Sequence, residues 1–134
     1  MQANIVGAMK SQRMALILFV DDDHYTLQTL SKAAQVLGHR AIVADSCQGA
    51  LVIALEQSPD LIITDMRLTD ANGLNLVQQL KSQDSTAEIP VVVLSASPEV
   101  GTLEDAQAAG ALAYLNKPIR LHILQDLIRT YTTN

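Results

Sequence analysis

The chain has 134 residues, enough for one compact domain that buries most of the surface of a single core. Aliphatic residues dominate, with no Trp, one Phe and three Tyr, a composition that suits a buried parallel sheet covered by helices. The net charge of −5 argues against generic nucleic-acid binding by this domain, and the single cysteine excludes an intramolecular disulfide or a cysteine-based zinc cluster.

Residues 1–14 include Lys10 and Arg13, and their apolar run Ile5-Val6-Gly7-Ala8-Met9 is too short for a typical signal segment. They are expected to form a flexible arm ahead of one domain over 15–134. No apolar run approaches the ~20 residues of a membrane span, so a cytoplasmic protein with no membrane contact is expected. The first strand is expected at Ala15–Val20, stopping at Asp21-Asp22-Asp23. Leu27, Leu30, Ala34 and Leu37 then recur at helical spacing, with Gly38 as the stop. Asp23 suits the cap of this helix.

The second strand is expected at Ala41–Ala44, and Ser46-Cys47-Gln48 reads as a helix start followed by Leu51, Ala54 and Leu55. The Cys47 thiol is expected to be reduced and partly buried. The third strand, Leu61–Thr64, stops at Asp65, and Leu74, Val77 and Leu80 mark a helix after Asn72-Gly73. The fourth, Val91–Leu94, follows Pro90 and stops at Ser95. Ser97-Pro98 then suits a helix cap and first position, ahead of Val100, Leu103 and Ala106, with Gly110 as the close. The fifth strand, Ala111–Leu115, stops at Asn116-Lys117-Pro118, and Leu121, Leu124, Leu127, Ile128 and Tyr131 mark the last helix. All five runs have the continuous apolar character of strands buried on both faces.

Five strand–helix units with right-handed crossovers bring every strand C-terminus to one edge of a parallel sheet. Sites form at that edge in open α/β folds. Asp21, Asp22 and Asp65 are all expected there. Converging carboxylates repel, and a divalent cation relieves the repulsion; an all-oxygen site with room for water suits Mg²⁺ better than zinc. Ser95 adds a hydroxyl donor and Lys117 a positive charge. A carboxylate nucleophile, Mg²⁺, a lysine and a hydroxyl together suit phosphoryl transfer through an aspartyl-phosphate. Asp65 alone is an ordinary loop carboxylate, and Lys117 alone a solvated surface lysine; their weight comes from the constellation. His24 is expected at a solvent-facing helix start, with His39 and His122 on the surface.

These residues resemble the response-regulator receiver family over about Ala15–Tyr131. The resemblance rests on Phe19-Val20-Asp21-Asp22-Asp23, Ile62-Ile63-Thr64-Asp65-Met66, Asn72-Gly73, Val93-Leu94-Ser95-Ala96 and Asn116-Lys117-Pro118-Ile119. It implies a doubly wound, flavodoxin-like α/β fold with five helices and strand order 2-1-3-4-5. It also implies a phosphorylation-dependent switch of a two-component phosphorelay, not an enzyme. Asp65 matches the phosphoacceptor, Asp21 and Asp22 the acidic pair that holds Mg²⁺, and Arg67 the residue whose backbone carbonyl completes the metal site. Ser95 matches the hydroxyl switch residue, Lys117 the phosphate-binding lysine, and Tyr114 the aromatic that moves inward on activation. Lys117-Pro118 matches a cis peptide position. Thr69 stands where the family often has proline, Asn72 where it often has aspartate, and Arg67 and Ser97 where it tunes self-dephosphorylation.

The implied partners are a histidine kinase or phosphotransfer protein and a downstream effector domain or protein, with a homodimer left open. Two other readings remain at this point. One is a haloacid-dehalogenase-type phosphatase with Asp21 as nucleophile and Asp23 as acid–base. The other is a receiver-like interaction module that never uses phosphate.

Overall fold

The computed structural model describes residues 14–96 and 102–132. The arm expected over 1–14 lies outside them apart from Met14, as do Ser97, Pro98 and Val100. Five strands and five helices alternate among the described residues. They are β1 (Leu16–Val20), α1 (His24–Val36), β2 (Arg40–Ala44), α2 (Cys47–Gln57), β3 (Leu61–Asp65), α3 (Gly73–Lys81), β4 (Val91–Ser95), α4 (Thr102–Ala109), β5 (Ala113–Asn116) and α5 (Leu121–Thr132). The strands form one sheet in the order β2-β1-β3-β4-β5, every neighbouring pair parallel.

Successive strand residues face opposite sides, which divides the core into two layers. Leu18, Val20, Ile62, Val91 and Val93 pack beneath α2, α3 and α4, against Ala50, Ala54, Leu76, Val77, Leu80 and Ala106. Ile17, Phe19, Leu61, Ile63, Val92 and Leu94 face α1 and α5, against Leu27, Leu30, Ala34, Leu124, Leu127 and Ile128.

The expectation of burial on both faces holds for the three central strands only. β2 and β5 are the sheet's edges, so Val43 is 40% exposed and the residues of β5 are half-buried or exposed. β5 also begins two residues later than its apolar run, because Gly110 turns at φ +111° and Leu112 projects outward. Leu55, Leu103 and Leu121 are exposed as well, whereas Leu76, outside the expected spacing, is fully buried.

The helix boundaries follow local chemistry. Asp23, Ser46 and Asn72 have extended backbones, and their side chains accept N–H bonds from Thr26, Gly49 and Asn75 respectively. Gly38, at φ +88°, stops α1 in the left-handed region that side chains disfavour.

Candidate functional site

β1 and β3 are neighbours in register, with Val20 opposite Thr64, so Asp21 and Asp65 leave the sheet side by side. The Asp21 N–H donates to the Ala44 carbonyl of the edge strand at 3.1 Å, which keeps Asp21 at the sheet while Asp22 turns outward. Asp21 is buried, Asp65 half-buried and Asp22 exposed, and one carboxylate oxygen from each lies within 4.8 Å of the others. The cluster therefore grades from core to solvent.

Lys117 reaches into this cluster from the other end of the site. Its N–H donates to the Ser95 carbonyl at 2.9 Å, and the Lys117-Pro118 bond is cis, as the resemblance implies. Its Nζ donates to Asp21 Oδ2 at 2.8 Å and lies 3.5 Å from Asp65 Oδ2. Ser95 ends β4 one residue beyond Leu94, the register partner of Asp65, and is buried.

The electrostatics distinguish these groups. Burial pushes the Asp65 carboxyl above the usual carboxylate range; Lys117 opposes this, Asp21 adds to it, and an N–H bond from Arg67 opposes it again. Burial acts to lower the Lys117 ammonium, but its bond to Asp21 and the charges of Asp65 and Asp21 outweigh it and hold it above the usual range. Asp65 thus has an environment that disfavours its charge, next to a cation that stays protonated.

The two aspartates proposed for phosphatase chemistry are engaged otherwise. Asp21 uses Oδ2 for Lys117 and Oδ1 for the Asp23 N–H at 2.9 Å. Asp23 caps α1, and the Thr26 hydroxyl, at 2.6 Å, together with the Thr26 N–H holds its carboxyl below the usual range.

The segment after Asp65 is a tight turn. The Met66 N–H donates to Leu94 at 2.7 Å, the Gly73 N–H donates back to Met66 at 2.6 Å, and Arg67 pairs antiparallel with Asn72. A Cβ at residue 73 would stand 2.5 Å from the Asp65 carbonyl oxygen, so the return of α3 beneath Asp65 requires glycine there. The Thr69 hydroxyl donates to Asp22 Oδ2 at 3.4 Å.

Asp21, Asp22, Asp65, Ser95, Lys117 and Arg67 all lie at the carboxyl edge of β1, β3, β4 and β5. Tyr114 lies further back on β5, half-buried against the α2–α4 core layer. Sequence reasoning missed Asp70, whose carboxylate accepts N–H bonds at the start of α2, because no local pattern marks a contact across 23 positions. It also misjudged His39. That ring is half-buried, and its Nδ1 accepts the Ala15 N–H at 3.0 Å, because the turn after α1 passes beneath the start of β1. His24 is exposed as expected, 3.2 Å from Asp45. Cys47 is a free thiol and fully buried, not partly.

The donor set fits a hard divalent cation: three carboxylates, oxygen-only, with the exposed Asp22 leaving room for water. No helix among the described residues is long and apolar enough to cross a membrane.

Comparison with known proteins agrees with this geometry. Residues 17–129 match the response regulator receiver domain family. The chain is 30% identical over 102 residues to the phosphate regulon transcriptional regulatory protein PhoB of Pseudomonas aeruginosa, covering 76% of this chain and only 44% of that regulator. It is 29% identical over 115 residues to the polar-differentiation response regulator DivK of Brucella anthropi, covering 86% of this chain and 94% of DivK. Among solved structures, a receiver domain of a Pseudomonas aeruginosa sensor histidine kinase superposes with a TM-score of 0.81 at 25% identity, over 90% of this chain and 98% of that one; it carries a magnesium ion in its active-site cleft. From the strand order, the acidic edge and these matches, the chain belongs to the response regulator receiver domain family of two-component signalling.

Proposed function

We propose that Asp65 accepts a phosphoryl group from a phosphohistidine of a histidine kinase or phosphotransfer protein, in a Mg²⁺-dependent reaction. An Asp65 carboxylate oxygen attacks phosphorus, the histidine N–P bond breaks, and the histidine nitrogen leaves with the electron pair and takes up a proton. Asp21, Asp22, Asp65 and the Arg67 carbonyl would hold Mg²⁺, which neutralises charge developing on the phosphoryl oxygens. Lys117 adds a fixed cation on the other side, and the Ser95 hydroxyl donates to a phosphoryl oxygen. The observation that carries this reading is Asp65 itself: a half-buried carboxylate, raised in pKa, 3.5 Å from the Lys117 ammonium and next to two further carboxylates.

Phosphorylation adds roughly −1.5 to −2 charges at Asp65. Ser95 follows the phosphoryl group, Tyr114 turns inward, and the surface of α4, β5 and α5 changes. The exposed apolar side chains Leu103, Leu112 and Leu121 along these elements suit an effector, or a second copy of the chain, that docks in one state only. In this reading the domain works in the cytoplasm as a stoichiometric acceptor and not as a turnover enzyme. Phosphatase chemistry finds no support in Asp23, its acid–base, whose carboxylate is committed to capping α1 through Thr26.

Incubation with acetyl phosphate and Mg²⁺ separates the readings. One acid-stable, hydroxylamine-labile phosphoryl group per chain is the expected product. Sustained hydrolysis of a phosphomonoester, lost in Asp21→Asn, would favour the phosphatase instead; no modification at all would favour an interaction module.

A further inference from the structure

The loop between β3 and α3 is fastened to a helix that it does not continue into. Asp70 lies at its tip, and both carboxylate oxygens accept backbone N–H bonds at the start of α2. Oδ1 takes the Cys47 N–H at 2.9 Å and Oδ2 the Gln48 N–H at 3.0 Å. A helix start leaves its first N–H groups unpaired, and Ser46 already accepts the next one, from Gly49, at 3.0 Å. The helix therefore carries its own cap, whereas the loop gains an external anchor from Asp70. No proline fixes a backbone angle between Met66 and Gly73. On either side of Arg67 are groups that touch the acidic cluster: Asp65 itself, and Thr69, whose hydroxyl reaches Asp22.

We propose that Asp70 is a positioning residue: by tying the β3–α3 loop to the start of α2, it holds Arg67 and Thr69 against the carboxylate cluster and so sets the affinity of that cluster for a divalent cation. This deepens, and rests on, the reading of Asp21, Asp22 and Asp65 as a Mg²⁺ site. Groups that hold a metal's ligands in place typically contribute about 10- to 100-fold to affinity, and an exposed tether belongs at the lower end.

The test is calorimetric titration of the full chain with MgCl₂, in native form and as Asp70→Ala, Asp70→Asn and Ser46→Ala. Asp70→Ala is expected to bind Mg²⁺ about 10-fold more weakly, with the exchange of the Arg67–Ala71 amides accelerated. Asp70→Asn keeps one acceptor oxygen and recovers part of the affinity, which also covers the case of an unstable alanine variant. Ser46→Ala removes the helix's own cap and lowers stability, yet leaves Mg²⁺ affinity within about two-fold. Native affinity in Asp70→Ala would overturn the proposal. So would equal weakening in Ser46→Ala, which would assign the effect to the stability of α2. Absence of Mg²⁺ binding by the native chain would overturn the metal reading itself and this proposal with it, a failure distinct from the other two.

Discussion

Gly73→Ala introduces one methyl group beneath Asp65. The new Cβ would lie 2.5 Å from the Asp65 carbonyl oxygen, 3.2 Å from Met66 Cα and 3.3 Å from the Asp65 carbonyl carbon. Ordinary contact begins at 3.4 Å, so α3 must retreat by about 0.9 Å, and the obstacles are all backbone. That retreat strains the 2.6 Å bond from the Gly73 N–H to Met66. Overpacking of this kind costs about 1–3 kcal/mol and a weakened hydrogen bond about 1 kcal/mol, against ~0.5–1 kcal/mol gained because alanine suits a helix better than glycine. The net expectation is a loss of about 2 kcal/mol, or ~6–10 °C in Tm for a domain of this size. Urea unfolding should show the midpoint falling by about 1 M at unchanged slope. Gly38→Ala is the control: its Cβ meets nothing within 4 Å, so only the left-handed backbone penalty of about 1 kcal/mol applies. A Gly73→Ala variant as stable as the native chain would refute the close-approach argument.

Lys117→Met keeps the bulk of the side chain but leaves Asp21 and Asp65 without their cation. A loss of about 2–4 kcal/mol is expected in EDTA, below the cost for a fully buried pair because Lys117 is partly solvated, with part of it restored by Mg²⁺ in thermal unfolding. Asp65→Asn is expected to raise stability at neutral pH. The Asp65 pKa is raised on folding, so ionising it costs stability above its folded pKa, and the advantage of the amide should vanish as pH falls below the unfolded value near ~3.9. Burial lowers the His39 pKa, and protonating Nδ1 removes the acceptor of the Ala15 N–H. Stability is therefore full above the unfolded value of ~6.5 and declines as pH falls toward the folded one; His39→Gln should flatten this slope in urea titrations between about pH 7 and 5.

The alternation of apolar runs with helical spacing made the five strand–helix units legible, and local caps at Asp23 and Ser46 marked their starts. The site was legible because its residues are strand terminators, and a parallel sheet gathers such residues at one edge. Apolar content alone does not separate interior strands from edges, since Val43 in β2 and Val93 in β4 look alike; the strand order that makes one an edge and the other a centre came from the resemblance. Contacts between distant loops were equally hidden. Asp70 reads as a polar loop residue, and His39 as a surface one, until tertiary packing brings the start of α2 to the first and the start of β1 to the second.

The central claim is that Asp65, and no other carboxylate of the cluster, takes the phosphoryl group. Its most direct test is intact and peptide-level mass spectrometry after treatment with acetyl phosphate, with Mg²⁺ or EDTA, for the native chain and Asp65→Asn. A single phosphoryl adduct is expected on the peptide containing Asp65, dependent on Mg²⁺ and absent from Asp65→Asn. An adduct that persists at the same level in Asp65→Asn, or that maps to Asp21 or Asp22, would contradict it.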